Sequence, residues 1–130
     1  MLAYMLYDEL IREVGRRLVA AASSPARVVL FGSHARGEAV PGSDLDLLVI
    51  EQEITDRSAE FVSLRRSLRG LDRSIDLILV TEDEAQKWRD VPGSLIFDAM
   101  RTGQLIGEAT SLRVRRLIAE DRAILERLAR

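Results

Sequence analysis

From Leu45 to Ile50 the chain runs through Leu, Val and Ile with one interruption, Asp46. An apolar run without alternation is a strand covered on both faces. Helical patterns on either side can supply the cover. Leu2, Leu6, Leu10, Val14, Leu18 and Ala22 recur every four residues and form one apolar stripe, which Ser23-Ser24-Pro25 ends. Arg27 to Phe31 reads as another buried strand, and Ile75 to Val80 as a third, interrupted in its turn by Asp76. Thr55 to Gly70 predicts a helix, with Phe61, Leu64, Leu68 and Leu71 at helical spacing. Thr81-Glu82-Asp83-Glu84 has the pattern of a capping box, so a helix starts there. Pro92 to Met100 predicts a further helix closed by Gly103, and Leu105-Ile106 a short edge strand. From about Ser111, the residues Leu117, Ile118, Ile124, Leu125 and Leu128 stripe a final helix dense in arginine. Helices alternating with strands give the class: α/β (α+β), a small mixed sheet flanked by helices.

With 130 residues, 47% of them hydrophobic, the chain suits one domain with a real core. The expected division is a single domain over 1–130, its core at about 5–108 and its last helix at about 111–130. There is no cysteine, which rules out a disulfide scaffold, a thiolate zinc site and a cysteine nucleophile. A single histidine, His34, argues against a Ser-His-Asp hydrolase. The net charge of -2 argues against nonspecific duplex binding. No apolar run approaches the ~20 residues that span a bilayer. The first seven residues lack a basic region and a cleavage site, so they read as mature protein and the expected location is the cytoplasm.

The chemistry concentrates between Gly32 and Asp46. Gly32-Ser33 follows a strand and opens a turn. Glycine lets a phosphate approach the backbone, and the Ser33 hydroxyl and nearby N–H groups can donate to its oxygens. The same pair can also serve only as a turn. Asp44 and Asp46 are two residues apart at the start of a strand, which points both carboxylates to one side. Two carboxylates side by side repel unless a cation sits between them. Magnesium suits such oxygen ligands and takes others from substrate phosphates. Asp44 can instead cap the Pro41-Gly42-Ser43 turn, but Asp46 interrupts an apolar strand where a charge is expensive. Asp76 repeats that oddity and can stand beside them on a neighbouring strand. A Walker A loop fails, because Glu38-Ala39 stands where Lys-Ser/Thr is required, and no Gly-x-Gly-x-x-Gly is present.

Gly32-Ser33, ten residues, then Asp44-x-Asp46 resembles the signature of the DNA polymerase β-like nucleotidyltransferase superfamily. The string from Leu30 to Ile50 is similar to its minimal, stand-alone branch, the MntA-like nucleotidyltransferases. The strand around Asp76 and then Ser94, Ala99 and Gly103 follow in the family's order. The resemblance covers about residues 5 to 108. It implies a polymerase β-like fold, ATP as substrate and two Mg²⁺ ions. Asp44 and Asp46 would hold both metals, with Asp76 a ligand of one and an aid to the acceptor hydroxyl. Gly32 and Ser33 would hold the β- and γ-phosphates. Arg36 would contact the triphosphate or orient Asp44, with a surface salt bridge as its plain alternative. His34 is read as non-catalytic and Gly37 as a turn residue.

The resemblance also implies a partner. Minimal nucleotidyltransferases are often paired with HEPN-family toxins, and in that arrangement they silence the toxin as antitoxins by placing AMP on a tyrosine. Two alternatives stand beside that reading: the same chemistry on a small molecule or an RNA end, and a binding module without activity. Eighteen of the 19 basic residues are arginine, Lys87 being the only lysine, which suits a partner surface as well as solvated helix faces. Arg65, Arg66, Arg69 and Arg73 form one cluster. The N-terminal helix reads as core, with a dimer or partner contact through Tyr4 and Tyr7 as the alternative.

Overall fold

The apolar run around Asp46 becomes an interior strand. The computed structural model describes residues 7–39, 42–71 and 73–109. Its strands are β1 (Ala26–Phe31), β2 (Leu45–Glu51), β3 (Ile75–Thr81) and β4 (Gln104–Ala109), in the sheet order β3-β2-β1-β4. β1 runs antiparallel to β2 and β4, while β2 and β3 are parallel. Helices α1 (Tyr7–Ala21), α2 (Gly32–Ala35), α3 (Arg57–Ser67), α4 (Glu82–Trp88) and α5 (Leu95–Thr102) connect them. A parallel pair needs a crossover, and the segment carrying α3 supplies it.

Strand periodicity divides the core into two layers. Leu45, Leu47 and Val49 pack with Val28, Leu30 and Leu77 in the layer that holds Val14, Leu18 and Leu64 of α1 and α3. Leu48 and Ile50 pack with Val29, Phe31 and Val80 against Ala85 of α4 and Ala99 of α5. The predicted stripe Leu10, Val14, Leu18 and Ala22 is buried. Its first members, Leu2 and Leu6, lie outside the described residues, as does the predicted helix from Ser111. A Cβ on Gly15 would sit 2.1 Å from the Ile106 carbonyl oxygen, so α1 meets β4 backbone to backbone.

Four details differ from the sequence reading. Phe61 shares the spacing of Leu64 and Leu68 but is 38% exposed, whereas Glu60 is buried. Ser23 draws Glu60 inward by donating to its carboxylate from N at 2.8 Å and from Oγ at 2.6 Å. The helix expected from Pro92 begins at Leu95, because Ser94 caps it by accepting from Phe97 N at 3.1 Å. The short edge strand extends over six residues, because β1 offers it an open edge. Asp44 lies ahead of β2 instead of inside it.

The capping box forms as predicted: Thr81 Oγ1 accepts from Glu84 N at 3.1 Å, and Glu84 Oε1 accepts from Thr81 N at 2.9 Å. Gly103 closes α5 where a Cβ would meet Ala99 O at 2.3 Å and Val29 Cγ1 at 2.5 Å. Ser94, Ala99 and Gly103 are therefore the cap, the buried contact and the close approach that seat α5 on β1. Among the described residues no helix is long and apolar enough to cross a membrane.

Candidate active site

Asp46 and Asp76 face each other across the parallel pair as register partners. Each is second in its strand, and each shares the strand face that carries Leu48 and Ile50, or Ile78 and Val80, further along. The layer under α4 and α5 is apolar at one end and carries carboxylates at the other. Asp44 and Asp76 are exposed and Asp46 is half-buried.

Asp46 bears the electrostatic load. Burial first, then the charges of Asp76 and Asp44, push its carboxyl above the usual range, and a side-chain hydrogen bond with Asp76 acts in the same direction. Two carboxyl groups bond to each other only by sharing a proton. The three aspartates therefore carry more negative charge than the site holds comfortably, which is what an oxygen-seeking cation relieves. Their all-oxygen donor set fits magnesium. Among the described residues no three His, Asp or Glu side chains already stand as a metal cage. The charge for an ion is present, without a preset shell.

Gly32 follows β1 with φ +74°, in the left-handed region. A Cβ there would lie 2.2 Å from Asp46 Oδ2, so the Gly32 backbone lies directly against the carboxylate. Ser33 comes next, half-buried, in the single turn of α2. Phe31 precedes that turn and offers no side-chain acceptor to its first amides. Those donors are the groups a phosphate oxygen would use.

Arg36 is on the same loop and makes no bond to Asp44. Its Nε is 3.3 Å from Glu38 Oε2 and its Nη1 is 3.7 Å from Asp98 Oδ2, so it ties the loop to the first turn of α5.

His34 and Arg73 converge on the residue before Asp44. His34 Nε2 donates to the Ser43 carbonyl oxygen at 3.1 Å, and Arg73 Nη2 donates to the same oxygen at 3.3 Å. The other face of the interaction is Tyr7, whose ring stacks on His34 at 5.6 Å between centroids and whose hydroxyl is 3.1 Å from Nδ1. His34 is thus a brace for the aspartate loop. Its signal in the sequence was its place between Gly32 and Asp44. Arg73 and Tyr7, read as members of a surface cluster and of a core or contact helix, carried no signal of this role, because nothing local marks a contact made across the fold.

The chain matches the family model described as the nucleotidyltransferase domain over residues 8–123. No curated protein matches it. Among solved structures it is similar to a candidate nucleotidyltransferase from Sulfolobus solfataricus, with 20% identity, TM-score 0.54, and 78% of this chain covering 79% of that one. It is also similar to a toxin-antitoxin solved with AMP-PNP, with 18% identity, TM-score 0.53, and 96% of this chain covering all of that one. A third similar structure is a tri-AMPylated Shewanella oneidensis HEPN toxin in complex with MNT antitoxin, with 16% identity, TM-score 0.50, and coverage of 95% and 99%. At these identities the likeness is one of fold.

Proposed function

The chain belongs to the nucleotidyltransferase domain family, and on that premise we propose that it is the antitoxin of a HEPN/MNT pair, transferring AMP from Mg-ATP to a tyrosine of its toxin partner in the cytoplasm. The observation that carries the chemistry is the pairing of Asp46 with Asp76, with the Gly32 backbone against the Asp46 carboxylate. Likeness of fold to antitoxins of this kind supports the partner.

In this reading Asp44, Asp46 and Asp76 would hold the magnesium ions, which when bound would lower the acceptor hydroxyl's pKa and offset charge on the leaving group. Gly32 and Ser33 bind the β- and γ-phosphates through backbone N–H groups and the Ser33 hydroxyl. The acceptor oxygen bonds to the α-phosphorus, the bond from that phosphorus to the bridging oxygen breaks, and pyrophosphate leaves. Asp76 would help activate the acceptor hydroxyl, a role supported by its exposure beside the half-buried Asp46. Arg36, held by Glu38 and Asp98 beside the Gly32 loop, would turn toward the triphosphate when it binds.

Label transfer tests the proposal. The protein is incubated with Mg²⁺, ATP labelled at the α-phosphate and a host-cell lysate containing the neighbouring gene's product, with Asp44→Asn/Asp46→Asn as control; a labelled band is identified by its mass. The expected result is label on a HEPN-family protein, absent with the control. Aspartate-dependent label only in small molecules or nuclease-sensitive material would replace the toxin with another acceptor. Mg-ATP binding with no aspartate-dependent label on any acceptor would replace the enzyme with a binding module.

A further inference from the structure

The α3 surface that the helical stripe failed to bury forms a groove of about 390 Å³. Phe61, Val62, Leu71 and Ile75 give it an aliphatic and aromatic floor, with Phe61 38% and Val62 46% exposed. Four arginines complete it: Arg65, Arg66, Arg69 and Arg73.

These arginines are clustered, and they differ from three others that are tied to glutamates. Arg17, Arg27 and Arg57 each lie 2.7 Å from a glutamate. The groove arginines have no carboxylate partner among the described residues. Arg65 donates to the Ile75 carbonyl oxygen at 2.7 Å and Arg73 to that of Ser43. The side chains of Arg66 and Arg69, both exposed, bond to no described residue. A chain of net charge -2 thus gathers on one surface four arginines that no carboxylate of the described residues meets. That surface ends at the candidate site: Ile75 precedes Asp76, and Arg73 grips the loop that leads into Asp44.

We propose that this groove docks an acidic segment of the protein that carries the acceptor hydroxyl. The inference rests on the reading of this chain as an enzyme that modifies a protein. Charge complementarity selects carboxylates, and arginine beside exposed apolar side chains is the composition of a protein interface. The floor favours protein over RNA. Val62, Leu71 and Ile75 match aliphatic side chains, whereas single strands need aromatic platforms on which to stack, and Phe61 is the one aromatic here.

The test reads binding without nucleotide, so it stands apart from whether AMP is transferred. Fluorescence anisotropy is measured with labelled random copolymers of Glu and Tyr, and of Lys and Tyr, and with a short single-stranded RNA. Arg66→Glu/Arg69→Glu is compared with the unaltered protein. The Glu-Tyr copolymer should bind, lose at least tenfold in affinity in the variant, and weaken as salt rises. The Lys-Tyr copolymer should not bind. Circular dichroism and melting check the variant's fold, and Arg66→Gln/Arg69→Gln replaces it if charge reversal unfolds it. No binding of the Glu-Tyr copolymer, binding unchanged in the folded variants, or tighter arginine-dependent binding of the RNA would each overturn the proposal.

Discussion

The Asp46 carboxylate fills the space that a side chain on Gly32 would need: a Cβ there would lie 2.2 Å from Oδ2, on a residue already at φ +74°. Two constraints meet at one position. A left-handed conformation costs a residue with a Cβ about 1–2 kcal/mol, and the methyl group must also displace a carboxylate. Gly32→Ala should therefore lower the melting temperature by about 5 °C or more and abolish transfer. A variant that melts normally and transfers AMP would show that the loop can leave Asp46 without loss.

Asp46→Asn separates charge from shape. The amide keeps the volume but removes the charge at the centre of the three aspartates. Metal assistance is worth several kcal/mol, and each 1.4 kcal/mol is tenfold in rate, so transfer should fall by at least about a hundredfold. Folding should not suffer. Burial and the charges of Asp76 and Asp44 already disfavour ionised Asp46, so without magnesium the variant should melt at the same temperature or higher. Magnesium should raise the melting temperature of the unaltered protein and lose that effect in the variant. Equal stabilisation of both by magnesium would place the ion elsewhere.

His34→Ala tests the brace under the aspartate loop. The change removes the bond to the Ser43 carbonyl oxygen at 3.1 Å and the ring stacked on Tyr7. Arg73 still holds Ser43, so the loop should loosen without being lost. A buried hydrogen bond contributes about 1 kcal/mol, which predicts a five- to tenfold loss of Mg-ATP affinity by titration calorimetry. Unchanged affinity would make His34 a packing residue only.

The strands and the carboxylates were legible because their signals are local. Asp46 and Asp76 each interrupt an apolar run, and an unpaired charge in such a run has few structural reasons to exist. Thr81 and Glu84 announced a helix start in four residues. What stayed hidden depends on contacts made across the fold. The stripe of α3 could not distinguish Phe61 from Glu60, because Ser23, 37 positions away, decides which side chain turns inward. The partners of Arg36 are a neighbour, Glu38, and Asp98 on α5, and only the first was near enough in sequence to suspect. That His34 and Arg73 share one carbonyl follows from the α3 crossover and from no motif.

Glu51 gives the fold a pH dependence of its own. It is fully buried at the end of β2; its Oε1 accepts from Ser24 N at 3.3 Å and from Ser24 Oγ at 3.2 Å, while Oε2 meets no N–H or hydroxyl donor among the described residues. Burial, then the hydrogen bond and charge of Glu60, push its carboxyl up to about 8 from an ordinary 4.5. The folded state therefore keeps a proton that the unfolded chain releases. Stability from this group is fully present below the unfolded value of 4.5, declines as the unfolded chain ionises, and is lost as pH rises through about 8. Glu51→Gln cannot ionise, so it should retain what the glutamate loses. The melting temperature of Glu51→Gln minus that of the unaltered protein should grow steadily from pH 5 to pH 8, by several degrees in all. Asp46 titrates in both proteins and cancels in the difference. A difference that stays constant across that range would mean that Glu51 is already ionised in the fold, with its charge met by a donor at Oε2.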